Sequence, residues 1–175
     1  MKKEQPEIDN KGNNATGFRF AVVVSRWNSS FTDRLLEGTT EAFRECGATE
    51  EAVEVFKVPG AFELPLACFK AAESGRFDAV IALGVVIRGE TPHFDHVAGQ
   101  AANGIMQAGM TAGIPVLFGV ITADTVEQAE GRCGERSNNK GYEAAMAAIE
   151  VANLYRSMAK EQGVRGNEKK LSHVV

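Results

Sequence analysis

Residues 77–110 read FDAVIALGVVIRGETPHFDHVAGQAANGIMQAGM. The first part, Phe77–Ile87, is a nearly unbroken apolar run, which predicts a strand buried on both faces. Arg88-Gly89-Glu90-Thr91 breaks that run. From Pro92 to Met110 apolar residues return at helical spacing, as Phe94, Val97/Ala98, Ala101, Ile105 and Ala108. A doubly buried strand running through a short turn into a helix is the building unit of a parallel sheet covered by helices.

Working outward, the same unit recurs on both sides. Phe18–Ser25 (FRFAVVVS) predicts a strand. Phe31, Leu35, Thr39, Ala42/Phe43 and Cys46 predict a helix, with Ser30 as its cap and Gly47 past its end. Val53–Val58 predicts a second strand, followed by a helix over Glu63–Ser74 that admits Pro65 in its first turn and stops at Gly75. Pro115–Thr122 is expected as a fourth strand, with helices over about Thr125–Cys133 and Gly141–Lys160. Right-handed crossovers between such strands make a three-layer α/β/α sandwich on a four-stranded parallel sheet. The segments 1–16 and 161–175, rich in charge, glycine and asparagine, are expected to be poorly ordered ends around one domain over 17–160.

Composition narrows the function. A chain of 175 residues, 44% of them hydrophobic, holds one substantial core. Its net charge of -4 gives no reason to expect nucleic acid or an anionic membrane as partner. No apolar run reaches the roughly 18 residues of a membrane helix, and MKKEQPEIDNKGNN lacks the apolar centre of a secretory signal. Three cysteines, Cys46, Cys68 and Cys133, include no CxxC pair and suit neither a disulfide framework nor a zinc site. A cytoplasmic protein is expected.

In a parallel sheet, ligands bind beyond the carboxyl ends of the strands. Distinctive residues gather at those ends. After the first strand stands Arg26-Trp27-Asn28, with the only tryptophan; after the second, Pro59-Gly60-Ala61-Phe62-Glu63; after the third, Arg88 to His96. A lone tryptophan is more often a packing residue, yet beside a turn it can stack on a heterocycle. Phe62 has the same two readings. Glu63 most simply serves the start of its helix, and Arg88 reads as an ion-pair residue near a strand end. Thr91 is a candidate N-cap ahead of Pro92, which would aim free backbone N–H groups outward as an anion site.

Two of the three histidines fall here, His93 in that first turn and His96 one turn further on. The positive end of a helix disfavours imidazolium, and a neutral ring beside an anion can take up and return a proton. His93 is therefore the acid–base candidate. His96 reads as structural, and His173 lies in the tail. The loop RCGERSNNKG, Arg132–Gly141, carries three cations and is either a solvated loop or, through Arg132 or Lys140, a phosphate contact.

SRWN, VPGAFELP, ALGVVIRGETPHFDHV, FGVITADTVEQA, RCGERSNNKG and AIEVANL occur in this order between about Phe18 and Met158. In these motifs the chain resembles the 6,7-dimethyl-8-ribityllumazine synthase family of riboflavin biosynthesis. The resemblance implies a flavodoxin-like sandwich and a transferase without cofactor or metal. Its reaction condenses 5-amino-6-(D-ribitylamino)uracil with 3,4-dihydroxy-2-butanone 4-phosphate. It implies that Trp27 stacks on the uracil, where the family usually has phenylalanine. Ala61, Phe62, Glu63, Val85, Val86 and Ile87 would bind uracil and ribityl chain. Glu90, Thr91 and Arg132 would hold phosphate, and His93 would transfer protons. Phe118 and Lys140 match positions that close the pocket from a neighbouring subunit.

The resemblance further implies a pentamer, twelve of which close into an icosahedral shell where the Arg132–Gly141 loop is short, as here. Residues 1–16 would then dock on a neighbour, and riboflavin synthase becomes a possible companion. Cys133 and Arg136 depart from the alanine and lysine common there. Rival readings are a flavin- or lumazine-binding module without turnover, a structural cage subunit, and a related riboflavin synthase. A histidine beside an anion turn has no purpose in mere binding.

Overall fold

Four strands pair in parallel in the order β2-β1-β3-β4: β1 Phe20–Ser25, β2 Val53–Val58, β3 Ala79–Ile87 and β4 Val116–Ala123. The structure, a computed structural model, describes residues 13–171. Five helices connect and follow these strands: α1 Ser29–Glu45, α2 Leu64–Glu73, α3 His93–Ala112, α4 Val126–Glu130 and α5 Lys140–Leu171.

The two inner strands are buried because each contributes side chains to both faces. Phe20, Val22 and Val24 of β1 join Ile81 and Leu83 of β3 under Leu35 and Phe43 of α1 and Met146 and Ile149 of α5. Ala21 and Val23 join Val80 and Ala82 on the opposite face, under Leu64 and Cys68 of α2 and Ala101 and Ile105 of α3. The three-layer sandwich expected from the apolar runs is thus present, with α1 and α5 on one side and α2 and α3 on the other.

The crossing of α1 and α5 is tight. A Cβ on Gly141 would lie 2.0 Å from the Leu35 carbonyl oxygen, and one on Gly38 would lie 2.5 Å from the Asn139 side chain. Only glycine allows this approach.

Several boundaries differ from expectation. β1 begins at Phe20 and β3 at Ala79, two residues inside the predicted starts. Asn28, not Ser30, precedes α1, in the left-handed conformation at φ 61°. Pro92, not Thr91, occupies the cap position of α3 and makes no side-chain cap. Proline already has the helical φ of -63° there, so the turn forms without a capping hydroxyl. α4 is only five residues long, its start capped by the Thr125 hydroxyl accepting from the Gln128 N–H.

Of the expected tails, residues 1–12 and 172–175, including His173, lie outside the described residues. Ala15 is fully buried and its N–H donates to the Cys46 carbonyl at 2.8 Å, so the domain starts earlier than residue 17. α5 continues through residues 161–171.

Candidate active site

The connections that follow β1, β2 and β3 meet at one edge of the sheet. β1 leads outward to β2, whereas β3 leads the other way to β4, so the chain reverses its direction of winding between β1 and β3. A crevice is expected at such a reversal. The pairing register makes it deeper. β1 pairs with β3 only as far as Val24 opposite Leu83, while β3 continues beside β4 to Ile87 opposite Ala123. The last residues of β3 therefore overhang β1, and their β1-facing edge has no strand partner.

A cavity of about 340 Å³ occupies this overhang. Val85, Val86 and Ile87 form its floor, Trp27 and Asn28 one wall, and Gly60, Ala61 and Phe62 another. Gly89, Thr91, His93, Phe94 and Val97 close the side toward α3. Trp27 is 74% exposed and Phe62 58% exposed, so neither is a packing residue of this chain's core. Two exposed aromatic faces over a strand edge can sandwich a flat heterocycle that hydrogen-bonds to the backbone.

The polar groups around the cavity have definite partners. Glu63 accepts from the Gly60 N–H at 2.8 Å and so holds the turn that presents Ala61 and Phe62, which is the helix-start role read from its position. Arg88 donates from Nε to Asp124 at 2.7 Å and from Nη1 to Asp95 at 3.1 Å, with its guanidinium 4.1 Å from the Phe94 ring. The ends of β3 and β4 are thereby tied to the first turn of α3. That turn carries His93, exposed at the first helical residue and facing the cavity. His96, one turn further along, is also exposed and does not line it.

Asn28 is the residue whose importance the sequence did not signal. Its left-handed backbone turns the side chain back so that Nδ2 donates to the Val85 carbonyl at 2.8 Å, satisfying part of the overhanging edge. Asparagine tolerates this conformation better than most residues, which was the available clue.

Five of the expected site residues do not line this cavity within one chain: Glu63, Glu90, Phe118, Arg132 and Lys140. Phe118, 45% exposed, sits near the start of β4 in a separate groove with Met106, Met110 and Tyr155. Arg132 and Lys140 flank the loop between α4 and α5. Of its cations, Arg136 pairs with Glu41 and Glu45 and Lys140 with Glu143, while Arg132 is in no ion pair among the described residues.

Burial pushes the Cys68 thiol up to about 12 and also raises Cys46 and Cys133, the last against the opposing pull of Arg34. No group of three or more His, Cys, Asp or Glu among the described residues could hold a metal ion.

The pocket and its aromatic walls thus suit a planar substrate, and comparison with known proteins says which family built it. The 6,7-dimethyl-8-ribityllumazine synthase family profile matches residues 17–156. The chain belongs to this family. It is 53% identical to the 6,7-dimethyl-8-ribityllumazine synthase of Desulfatibacillum aliphaticivorans over 140 residues, 80% of this chain and 90% of the relative. It is 52% identical to that of Chlorobium chlorochromatii (strain CaD3) over 144 residues, 82% of this chain and 93% of the relative. As a lumazine synthase family member, the protein is a transferase of riboflavin biosynthesis acting on small molecules. The motifs quoted above for the resemblance all lie inside the matched span.

Proposed function

We propose that the cavity at the β1–β3 reversal binds 5-amino-6-(D-ribitylamino)uracil and condenses it with 3,4-dihydroxy-2-butanone 4-phosphate. The observation that carries this reading is the gathering of Trp27, Ala61, Phe62, Val85–Ile87, Thr91 and His93 around one cavity. The uracil stacks on Trp27 and Phe62 and hydrogen-bonds to the backbone of the β3 overhang. Glu63, with one oxygen on Gly60, has a second for a ribityl hydroxyl.

The backbone at Glu90-Thr91 and the cation of Arg132 receive the phosphate. The 5-amino group attacks the ketone carbon and one water leaves, giving an imine. A proton is then lost beside the imine as phosphate departs from the neighbouring carbon, and the enol becomes a carbonyl. The ribityl-bearing nitrogen attacks that carbonyl, a second water leaves, and the ring closes. Every step moves protons and none requires a covalent bond to the protein. His93 at the cavity edge is the group to carry them, and holding two substrates together supplies much of the acceleration.

Phe118, Lys140 and Arg132, remote from the cavity of their own chain, complete the cavity of a neighbouring subunit. The working unit is then a pentamer, and the short Arg132–Gly141 loop favours closure of twelve pentamers into a shell. Free thiols and the lack of any described helix long and apolar enough to cross a membrane accord with a cytoplasmic enzyme.

Mixing the protein with both substrates and following the absorbance of the lumazine tests the reading. Appearance of lumazine together with stoichiometric phosphate is the expected result. Saturable binding of the uracil without turnover would instead identify a binding module, and consumption of two lumazines a riboflavin synthase.

A further inference from the structure

The loop Arg132–Gly141 is closed on itself. The Lys140 N–H donates to the Arg132 carbonyl at 2.9 Å, so the two residues assigned above to substrate are neighbours across the neck of the loop. Cys133 and Asn139 form an antiparallel bridge just inside it, and the Gly134 N–H donates to the Asn138 carbonyl at 3.0 Å.

Two side chains fasten this loop to the sandwich. Asn139, 3% exposed, uses its whole amide. Its Nδ2 donates to the carbonyls of Arg34 and Gly134, each at 2.9 Å, and its Oδ1 accepts from Gly141 at 2.9 Å and Tyr142 at 3.1 Å. Arg136, nearer the tip, reaches back to α1. Its Nε lies 3.3 Å from Glu41 and its Nη2 donates to Glu45 at 2.6 Å. The other oxygen of Glu45 accepts from the Tyr142 hydroxyl at 2.8 Å. The backbone of Arg136 stands at φ 40°, a conformation that a residue with a side chain adopts only when its surroundings hold it there.

We infer that Arg136 is a positioning residue: its clasp on Glu41 and Glu45 fixes the loop so that Arg132, which is in no ion pair among the described residues, presents its cation to the phosphorylated substrate. The inference rests on the assignment of Arg132 to the phosphate given above. Arg136 does not touch the substrate, because its guanidinium is engaged by α1. An ion pair this exposed contributes little to stability. Its value lies in geometry, since a displacement of about 1 Å in a substrate-binding group can cost on the order of a hundredfold in rate.

Steady-state kinetics on variants that sediment like the parent test this. Arg136→Ala should raise KM for the butanone phosphate about tenfold while KM for the uracil stays within about twofold. Arg136→Lys should restore most of the loss. Arg136→Gly, which removes the backbone strain together with the clasp, should behave like Arg136→Ala. Glu45→Gln should reproduce part of the effect, and combining it with Arg136→Ala should add nothing further, as expected for two partners in one contact.

Additive effects in that double variant would mean that Arg136 meets the phosphate itself, and equal KM changes for both substrates would mean a merely structural role. Either overturns the inference. Arg132→Ala serves as the reference. If it raises KM for the phosphate and Arg136→Ala does not, the clasp alone is refuted. If Arg132→Ala leaves that constant unmoved, the loop is not the phosphate site and the inference falls with the assignment beneath it.

Discussion

His93 and Trp27 are defined by what surrounds them rather than by residue type. His93 stands at the first residue of α3, exposed to the cavity, on a turn that Arg88 ties to both Asp95 and Asp124. Losing one positioned acid–base group typically costs a factor of 10²–10⁴, and a positional contribution to catalysis would soften that. His93→Ala is therefore expected to slow turnover by roughly one to three orders of magnitude, with much smaller changes in KM. Unchanged turnover would remove His93 from the mechanism. Trp27 is the only tryptophan and stands 74% exposed at the cavity wall. Its emission should be quenched saturably by a ribitylaminouracil analogue; binding measured by calorimetry with no change in emission would place the ring outside the pocket.

At the scale of elements, the contact between α1 and α5 determines where the Arg132–Gly141 loop ends. α5 starts at Lys140, and the Gly141 backbone lies against the Leu35 carbonyl with no room for a methyl group. Gly141→Ala must push the two helices apart. Overpacking of this kind costs typically 1–3 kcal/mol, so a fall in melting temperature of about 6–12 °C is expected from the upper part of that range. A melting temperature within a degree of the parent would show that the crossing yields freely. The same crossing buries Tyr142, 6% exposed, and burial first, then the hydrogen bond to Glu45, pushes its phenol up to about 12. A raised phenol pKa stabilises the fold fully below the ordinary value near 10, and that share is lost as pH climbs toward 12. Thermal melts between pH 10 and 12 should fall less steeply for Tyr142→Phe than for the parent. Identical slopes would mean that the phenol does not report on folding.

For the whole molecule, the question is whether the proposed site is shared between subunits. Phe118, Met106, Met110 and Tyr155 line a groove of about 540 Å³ along α3, β4 and α5, and each is at least 45% exposed. So much exposed apolar surface accords with coverage by a neighbouring subunit. Closed symmetric assembly is the usual outcome for such surfaces. Sedimentation at micromolar concentration is expected to give a shell of twelve pentamers. A sole species of pentamer mass would refute the shell, and a fully active monomer would refute the shared site.

Each strand and helix announced itself in the chain, because apolar periodicity reports directly on which faces a segment must bury. FAVVVS and AVIALGVVI are apolar at nearly every position, and no half-exposed strand is built that way. The location of the cavity at the carboxyl ends followed from the same parallel reading, and so did the segments SRWN, VPGAFE and IRGETPH that border it. Sequence pattern carries no such information on which strand lies beside which. The order β2-β1-β3-β4, and with it the overhang of β3 past β1, depends on contacts between segments far apart in the chain.

Tertiary structure alone decided the finer chemistry. Asn28 reaches Val85 because the chain passes through a left-handed turn. Pro92 supplants Thr91 at the head of α3 because its ring already holds the helical angle. Arg136, one of several cations in a polar loop, becomes a clasp because α1 sets Glu41 and Glu45 opposite it. A residue's type limits what it can bind; which partner stands within hydrogen-bond reach is determined only when distant segments pack together.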